Sequence, residues 1–571
     1  MQENTTQDSQ VARSRRSFLK AGSLFGVATA LSPLASIAKP GTKNAGKTDI
    51  EKMGAQKITI LYTTDIHGQL LPHDEFFWEN ERPVYRKRGG LAHLKTMIEH
   101  YRAQNPANTI LIDGGDYFHG SAVASLTEGE ALIPLFNELG YDLMLPGNWE
   151  VVYKKEKMLY DMGHATAAKI CANMWHDTND ETKGELIYPP YWIKNIDGVK
   201  FGFIGYTDHL IPKRQSPAYS EGISFTHADY NVARYVKFLK EVEGCEVVFL
   251  VTHLGLAQQI ALSNNPAVKG VDMILGADTH ERVREPIIGK YTSVIECGAF
   301  GSFLGKLEVH LQDGKLSHFK YDLLDVDPAK FPADKKMNTL IAKAYEPFKD
   351  DLQKVIGYTT TPLVRYFVLE TTMDNLITDA VRWKFKPDIA LSNGFRFCQP
   401  LAVNTEAGKA AITKDFLWNM LPVDSEAKLG KVTGHQIWNW LEKELENAFA
   451  KDFSKRFGGW FVRYSGMQVN FTIGNEKGKR VNWVKVGGKP IDLSKEYTIA
   501  ACEREGDPED TLCRVEHVKN PYLTGMTLHQ VVEEYMKEKG TITPQLEKRA
   551  TASDEPETLL TQLRGTTYTF S

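Results

Sequence analysis

Cysteine is scarce in this sequence, and charge of one sign is not in excess. The six cysteines are spread over 571 residues and none forms a Cys-x-x-Cys pair, so we expect no structural zinc site. Lysine and arginine total 68 against 72 aspartate and glutamate residues, and the longest basic run is Arg86-Lys87-Arg88. Because nucleic-acid partners require a concentrated basic surface, no nucleic-acid polymer is expected as a stable partner.

Long hydrophobic runs are also missing. Beyond the N-terminus, no segment approaches the roughly 18 uninterrupted apolar residues of a membrane-spanning helix. The chain is 42% hydrophobic and 25% charged, which is typical of globular proteins and excludes the disordered, collagen-like and membrane-bundle classes. We therefore expect no stable membrane span once the N-terminal segment has been removed.

Residues 1–38 have the pattern of an export signal. Arg15 and Arg16 precede an uncharged, weakly apolar stretch that ends in the small residues of Ser36-Ile37-Ala38. This pattern predicts a twin-arginine signal peptide. The alternative, an N-terminal membrane anchor, is disfavoured by the glycine, serine and proline in the stretch. We predict a protein that is periplasmic or otherwise exported by the twin-arginine route, with the twin-arginine translocase as a partner during export.

Downstream of this segment the sequence predicts two domains. Predicted strands alternate with predicted helices from residue 57 to residue 325, which is typical of a layered α/β domain. A proline-containing segment and a predicted helix over residues 335–354 then lead to a second region that is large enough for its own core. We predict an α/β domain at 55–328, a linker helix at 329–356 and a second domain at 357–571.

Two of the cysteines enclose a polar loop in the second region. Cys502 and Cys513 lie on either side of residues 503–512. In an oxidising compartment they could close a disulfide. Free thiols are the alternative, and the sequence does not choose between them.

Polar side chains with glycine neighbours follow five of the predicted strands in the first domain. These residues are Asp65 and His67, Asp113 and Asp116, Asn148 and Glu150, His253, and Asp278 and His280. Open α/β sheets collect ligands at the carboxyl ends of their strands, and carboxylate, imidazole and amide groups together suit a hard or borderline metal ion. Two divalent ions about 3.5–4 Å apart need a shared anionic ligand, and together they activate water for in-line attack. Asp116 is suited to bridge two such ions.

Two residues beside these motifs have predicted supporting roles. We interpret Glu150 as orienting its loop rather than acting as a base, and His119, three residues beyond Asp116, as a group in or behind the pocket. For the other nearby histidines, exposed or structural positions are more common than metal ligation.

The order of these motifs resembles that of the calcineurin-like metallophosphoesterases. With the second region included, the chain is similar to the 5′-nucleotidase family over nearly all of its mature length, since the family pattern is DxH, GD, GNHE, a later histidine loop and GHxH. The resemblance implies a four-layer α/β sandwich domain joined by a helix to a second α/β (α+β) substrate-binding domain. It also implies two metal sites, one held by Asp65, His67, Asp116 and His280 and the other by Asp116, Asn148, His253 and Asp278.

A segment of the second region resembles the family's substrate-binding Asn-Gly-Gly-x-Arg motif. Residues 392–396 read Ser-Asn-Gly-Phe-Arg, which is one residue shorter. The resemblance assigns substrate binding to Asn393, Gly394 and Arg396. For a nucleotide substrate, aromatic rings should enclose the base, and the candidates are Phe397, Trp460 and Phe461. Core or rim packing is the alternative for these rings.

Two residues depart from the family pattern. Trp149 replaces the histidine of GNHE, and an indole cannot accept a proton as an imidazole does. Asp278 replaces the first histidine of GHxH, which changes the charge of the site but keeps a metal ligand. A tryptophan at the first position is typical of the Sox-type thiosulfohydrolases, which residues 298–304 and 446–463 also resemble. Those enzymes use two manganese ions to hydrolyse a sulfonate from a cysteine persulfide on a carrier protein.

Three functions follow as alternatives. The first is an exported dinuclear-metal hydrolase of thiosulfohydrolase type, in which metal-activated water releases sulfate from an S-sulfonated cysteine on a carrier protein. Its catalytic residues would be Asn148, Trp149 and Arg396, with Arg396 holding the oxyanion. The second is a periplasmic 5′-nucleotidase or phosphomonoesterase acting on nucleotides or another small anionic substrate, and the third is a non-catalytic ligand-binding module. For both enzymes we expect two divalent metal ions, with manganese first and zinc, iron or calcium as alternatives.

Overall fold

The computed structural model describes residues 56–177, 182–394 and 397–571. The predicted signal peptide and Arg396 lie outside these residues. Within them, no helix is both long enough and apolar enough to cross a lipid bilayer.

The first domain is built from strands and helices that alternate along the chain. Its strands are β1 (Gln56–Thr63), β2 (Pro72–Glu79), β3 (Arg82–Gly89), β4 (Thr109–Asp113), β5 (Leu143–Met144), β6 (Ala168–Lys169), β7 (Met174–His176), β8 (Tyr191–Ile196), β9 (Val199–Thr207), β10 (Ile223–Phe225), β11 (Val247–His253), β12 (Met273–Gly276), β13 (Ile287–Ile288), β14 (Ser293–Glu296), β15 (Phe303–Gln312) and β16 (Lys315–Asp325). Its helices are α1 (Leu91–Gln104), α2 (Ala122–Leu126), α3 (Ile133–Leu139), α4 (Lys154–His164), α5 (Ile211–Arg214), α6 (Val232–Lys237) and α7 (Leu256–Ser263).

Two six-stranded sheets of this domain pack face to face. Their strand orders are β16-β15-β1-β4-β5-β6 and β13-β14-β12-β11-β9-β8. Phe249 of β11 packs in a cluster with Ile60 of β1, whereas Leu250 packs in a second cluster with residues of α6 and α7. This alternation is expected of a strand that is buried on both faces. Because β1 is parallel to β4, and β11 to β12, the loops that follow the strands of each pair leave the sheet at the same edge.

A proline interrupts the linker between the domains. The sequence predicts one helix over residues 335–354, but the structure has α8 (Lys335–Tyr345) and α9 (Lys349–Leu352). Pro347 lies between them, and proline lacks the N–H that continues a helix while its ring crowds the preceding turn. The linker is therefore two short helices rather than the single helix predicted.

The second domain has its own sheets and two hydrophobic clusters. Its strands are β17 (Val355–Thr359), β18 (Ile389–Ser392), β19 (Ala410–Thr413), β20 (Glu426–Thr433), β21 (Arg463–Ser465), β22 (Met467–Phe471), β23 (Val481–Val486), β24 (Lys489–Pro490), β25 (Glu496–Cys502), β26 (Lys519–Thr527), β27 (Thr541–Ile542) and β28 (Ala550–Ala552). Its helices are α10 (Thr372–Phe385), α11 (Lys414–Met420), α12 (Gly434–Phe449) and α13 (Leu528–Lys539). On β25, Ile499 packs in one cluster and Ala500 in the other, so the five-stranded sheet β21-β18-β25-β20-β26 is covered on both faces.

All six cysteines are free thiols in the structure. Cys513 packs in the cluster that contains Ile499, whereas Cys502 packs against the cluster that contains Ala500. The two side chains therefore contribute to different clusters, and the disulfide that the sequence left open is not formed.

After β28 the chain returns to the first domain. We call residues 559–571 the return segment. Its Tyr568 belongs to the cluster behind β11, and the ring of Phe570 lies 5.8 Å from that of Phe76 and 5.4 Å from that of Tyr366. Phe76 belongs to the first domain and Tyr366 to the second, so the return segment contacts both.

Arg282 is buried at the centre of this junction, with 1% of its surface exposed. Its Nη2 donates to Glu75 Oε1 at 2.5 Å, and the hydroxyl of Tyr366 donates to the same oxygen at 2.7 Å. The guanidinium also lies 4.7 Å from the centre of the Phe570 ring. The buried charge is therefore paired with a carboxylate and enclosed by aromatic rings.

Candidate active site

Five of the seven predicted metal ligands have a left-handed backbone conformation. Their φ angles are 53° at Asp65 and His67, 61° at Asp116 and His280, and 94° at Asp278. Such a conformation costs a non-glycine residue about 1–2 kcal/mol. The N–H of Asp65 donates to Gly115 O at 2.9 Å, and that of His67 to Asp116 O at 2.8 Å. The turns that follow β1 and β4 therefore hold each other in this strained arrangement.

One group of predicted ligand atoms surrounds the tip of His67. Its Nε2 lies 3.0 Å from His280 Nε2, 3.9 Å from Asp65 Oδ1 and 3.8 Å from Asp116 Oδ2. His280 Nε2 is 3.6 Å from Asp65 Oδ1. All four residues are buried, and these are the four that the resemblance assigns to one metal.

A second group surrounds the tip of His253. Its Nε2 lies 2.9 Å from Asn148 Oδ1 and 3.1 Å from Asp116 Oδ2. Asp65 Oδ1 and Asp278 Oδ1 are each 3.8 Å from the same nitrogen. Asp65 and Asp116 thus lie between the two groups, so the structure offers two carboxylates for a shared position where the sequence predicted Asp116 alone.

The donor atoms of both groups fit divalent cations. Asp65 Oδ1 is buried and has no hydrogen-bond partner among the described residues. His67 Nδ1 faces His119 O at 3.0 Å, and His253 Nδ1 faces Gly114 O at 2.8 Å. Because a carbonyl oxygen only accepts, each Nδ1 carries a hydrogen, and each ring, when neutral, directs the lone pair of its Nε2 into the site. Carboxylate oxygens and imidazole nitrogens are common ligands of divalent metals.

The pKa values of the predicted ligand residues are shifted by burial and by the charges of their neighbours. Burial raises the pKa of the Asp65 carboxyl well above its usual range, with partial compensation from His253. Burial also lowers the pKa of His67, and His280 lowers it further. For His253, burial lowers the pKa, but the carboxylates of Asp116 and Asp65 outweigh burial and raise it. A divalent ion favours ionised carboxylates and neutral imidazoles at once.

Glu150 binds the backbone of the ligand turns. Its Oε2 accepts the N–H of Asp116 at 2.9 Å and that of Gly147 at 2.6 Å, while Oε1 accepts the N–H of Tyr117 at 2.8 Å. Burial, followed by the Asp116 carboxylate, raises the pKa of Glu150 to about 7. These contacts agree with the interpretation that Glu150 orients its loop.

Trp149 packs against a histidine that is held in one tautomer. The indole stacks on the His119 ring with 4.8 Å between the ring centres and 20° between the planes. His119 Nδ1 lies 2.6 Å from the hydroxyl of Tyr153, which donates to Ala124 O at 3.1 Å. Because that hydroxyl has a single hydrogen, His119 Nδ1 must carry its own and donate. Burial lowers the pKa of His119 to about 3, so this imidazole stays neutral.

A cavity of about 190 Å³ opens beside the ligand groups, between the two domains. It is lined from the first domain by residues that include Asn148, Trp149, Arg214, Asp278 and His280, and from the second by residues that include Arg365, Asn393, Phe397, Phe457 and Trp460. The cavity therefore connects the predicted metal ligands with part of the predicted substrate-binding segment.

Some of the predicted substrate-binding residues line the cavity, and others do not. Asn393, Phe397 and Trp460 line the cavity, and Trp460 Nε1 donates to Asn393 O at 3.1 Å. Phe461 is fully buried with its ring 5.0 Å from that of Phe471, so it is a core residue and not the cavity residue predicted.

Gly394, which belongs to the same segment, is not among the described residues that line the cavity. At Gly394 the φ angle is +70°, and a Cβ would lie 2.7 Å from a side-chain carbon of Arg463. Glycine is therefore required there by the backbone and by close packing. Arg396 lies outside the described residues.

Arg214, Arg365 and Phe457 are among the cavity residues that sequence reasoning missed. Arg365 is 2% exposed, with Nη2 3.1 Å from Asp374 Oδ1, and its apolar neighbours in sequence were a signal that could have been used. Arg214 Nη1 lies 3.0 Å from Asp278 Oδ2. Arg214 meets Asp278 and Phe457, which are both far from it in the sequence, so no local pattern placed it or Phe457 at the cavity.

Two family models match the chain. Residues 58–282 match the calcineurin-like phosphoesterase model, and residues 355–503 match that of the 5′-nucleotidase C-terminal domain. The chain is 22% identical over 565 residues to a 5′-nucleotidase of Vibrio parahaemolyticus, covering 90% of this chain and 94% of that protein. It is 27% identical over 327 residues to a 5′-nucleotidase of Vibrio cholerae, where the match covers 52% of this chain and 56% of the relative.

Two of the solved structures that share the fold come from Thermus thermophilus. A Thermus thermophilus sulfate thiohydrolase SoxB in complex with glycerol superposes with a TM-score of 0.79 at 23% identity, covering 88% of this chain and 98% of the other. A 5′-nucleotidase precursor from Thermus thermophilus superposes with a TM-score of 0.75 at 23% identity, covering 88% and 100%. These matches confirm the predicted α/β class with its two domains, and at this identity they show the fold alone.

Proposed function

Because the chain belongs to the metallophosphoesterase and 5′-nucleotidase superfamily of hydrolases, we propose that it is an exported dinuclear-metal hydrolase that releases sulfate from an S-sulfonated cysteine of a carrier protein. The observation that carries the proposal is Trp149. Its backbone N–H donates to Asp116 Oδ1 at 2.7 Å, and its indole lines the cavity next to Asn148. An aromatic ring without a basic nitrogen thus stands beside the predicted metal ligands.

We assign two divalent ions, manganese first, to the groups around His67 and His253. The residues would be Asp65, His67, Asp116, Asn148, His253, Asp278 and His280. Bound there, the ions would supply Lewis acidity for activating water and for stabilising an oxyanion. The chain itself holds His67 and His253 by their Nδ1 atoms, so both rings are oriented before any ligand arrives.

The surroundings of Trp149 favour a leaving group that departs as a stable anion. The indole cannot give up a proton at neutral pH, and His119 behind it donates its only hydrogen to Tyr153. A thiol has a pKa of about 8.5, so a sulfur leaving group departs as an anion far more readily than the alcohol of a nucleoside. This difference supports an S-sulfonated cysteine over a nucleoside monophosphate.

A periplasmic 5′-nucleotidase is the second candidate function. Phe397, Phe457 and Trp460 line the cavity, and such rings are able to stack on a nucleobase. The 5′-nucleotidases among the relatives also favour this alternative. It requires the site to expel an alkoxide without the usual imidazole, which is why we place it second. A module that binds ligand without turnover is the third alternative.

Turnover by the manganese-loaded protein separates these functions. An S-sulfonated cysteine peptide and AMP would be supplied at equal concentration, with sulfate measured by ion chromatography and phosphate by a colorimetric assay. We expect sulfate release to exceed phosphate release, and Asp116→Asn, which removes one of the shared carboxylates, to abolish it. Faster AMP turnover would establish the nucleotidase, and no turnover of either substrate with two metals bound would leave only a binding function.

A further inference from the structure

Arg214 lines the cavity but belongs to none of the motifs found in the sequence. It ends α5 in the first domain and lines the cavity. Its Nη1 lies 3.1 Å from Asp208 Oδ2 and 3.0 Å from Asp278 Oδ2. One guanidinium nitrogen therefore lies within ion-pair distance of two carboxylates, and Asp208 is fully buried.

This arrangement leaves donors of the guanidinium unused. The group carries five N–H donors in a fixed fork, and both carboxylates lie at Nη1. The Nε atom is buried and has no hydrogen-bond partner among the described residues. The hydrogen bond to Asp278 uses Nη1, so the Nη2 donors remain for a ligand in the cavity that Arg214 lines.

The second domain fixes where this arginine lies. Arg504 donates through Nη2 to Lys213 O at 3.2 Å and to Gln215 O, the residues on either side of Arg214. The ring of Phe457 lies 5.6 Å from the Arg214 guanidinium carbon. Carboxylates of its own domain therefore hold the Arg214 side chain. From the second domain, Arg504 binds the backbone on either side of Arg214, and the Phe457 ring lies near its guanidinium.

Asp278 connects this arginine to the predicted metal ligands. Its Oδ2 binds Arg214, while its Oδ1 lies 3.8 Å from His253 Nε2. Asp278, which replaces a histidine of the family pattern, thus places the Arg214 guanidinium next to the predicted metal ligands. Arginine is the side chain best matched to oxyanions, since its donors bind two oxygens at once and its charge persists at all relevant pH values.

We infer that Arg214 is a substrate-binding residue of this site and that it binds an oxygen of the substrate's tetrahedral oxyanion. The inference rests on the proposed hydrolysis in the cavity but is the same for a sulfonate and for a phosphate. Asp208 and Asp278 hold the guanidinium in place, and its free donors meet the anion. A charge-assisted hydrogen bond of this kind changes binding by about 10- to 100-fold.

The test uses the full-length manganese-loaded protein and two inorganic probes. Binding of sulfate and of phosphate would be measured by calorimetry for the wild type, Arg214→Gln and Arg214→Lys, together with metal content and melting temperature. Arg234→Gln, on the exposed side of α6, is the matched control. We expect Arg214→Gln to weaken oxyanion binding about 10- to 100-fold with both metals and the melting temperature retained, and Arg214→Lys to recover part of the loss.

Two results would overturn the inference. One is oxyanion binding by Arg214→Gln equal to that of the wild type. The other is a variant that loses metal and recovers full oxyanion binding when manganese is added in excess, since Arg214 would then act only on Asp278. Neither measurement needs turnover, so a failure of the proposed sulfate release remains distinguishable from a failure of this inference.

Discussion

Replacement of Trp149 by histidine provides the most direct test of how this site selects its leaving group. The substitution puts an imidazole next to Asn148, on a backbone that already donates to Asp116 Oδ1 at 2.7 Å. The new ring would be able to donate a proton to a departing alkoxide. General acid catalysis contributes about 10²- to 10⁴-fold to rate.

We expect the lower end of this range, about 10²-fold, for AMP hydrolysis by Trp149→His. The reason is that the imidazole would have no carboxylate to orient it. Glu150 is occupied by backbone N–H groups of the ligand turns. Release of sulfate from an S-sulfonated peptide should change by less than about tenfold, because a sulfur anion needs no proton.

The assay compares AMP with aryl phosphates whose leaving groups differ in acidity. Wild type should show a steep dependence of kcat/KM on leaving-group acidity, and Trp149→His a shallower one. Trp149→Phe is the control, because it removes the indole without adding a proton donor and should leave the slope steep. Equal slopes in all three proteins, or a parallel change of both activities in Trp149→His, would refute this account of Trp149.

Three further predictions concern metal, thiols and export. Burial raises the pKa of Asp113 and Glu150 to about 7, so the metal-free folded state keeps protons that the unfolded chain, with pKa values near 4, releases. Its unfolding free energy should therefore fall as the pH rises from about 4 to 7. Thermal melts should show that manganese raises the melting temperature more at pH 7 than at pH 5. A metal effect that does not depend on pH would contradict the proposed metal site. A thiol titration in denaturant without reductant should count six free thiols, and a count of four would point to one disulfide. Combined Arg15→Lys and Arg16→Lys changes should retain the protein in the cytoplasm on cell fractionation, while normal export would exclude the twin-arginine route.

The metal ligands were the part of the site most accessible to sequence reasoning. Each of them lies within a few residues of a predicted strand end, and parallel strands bring those ends together. The groups around His67 and His253 therefore assemble from local motifs such as Asp65-Ile66-His67. What the motifs did not indicate is that Asp65 Oδ1, like Asp116 Oδ2, lies between both groups.

The rest of the cavity depends on contacts between residues that are far apart in the sequence, and no local motif indicates such contacts. Arg214 meets Asp278 across 64 positions of sequence. Phe461 was predicted as a candidate ring at the cavity but packs in the core, although its sequence neighbour Trp460 lines the cavity. The linker prediction failed for a local reason, since Pro347 was passed over within a run of good helix formers.

The return segment has a consequence for how the two domains move. A domain rotation that moved Phe76 away from Tyr366 would break ring contacts of Phe570 and remove an aromatic face from the Arg282 charge. That exposure would oppose rotation as long as residues 559–571 stay docked. Substrate and product should therefore enter and leave the cavity with only small local adjustments of the structure rather than by a large rotation of one domain.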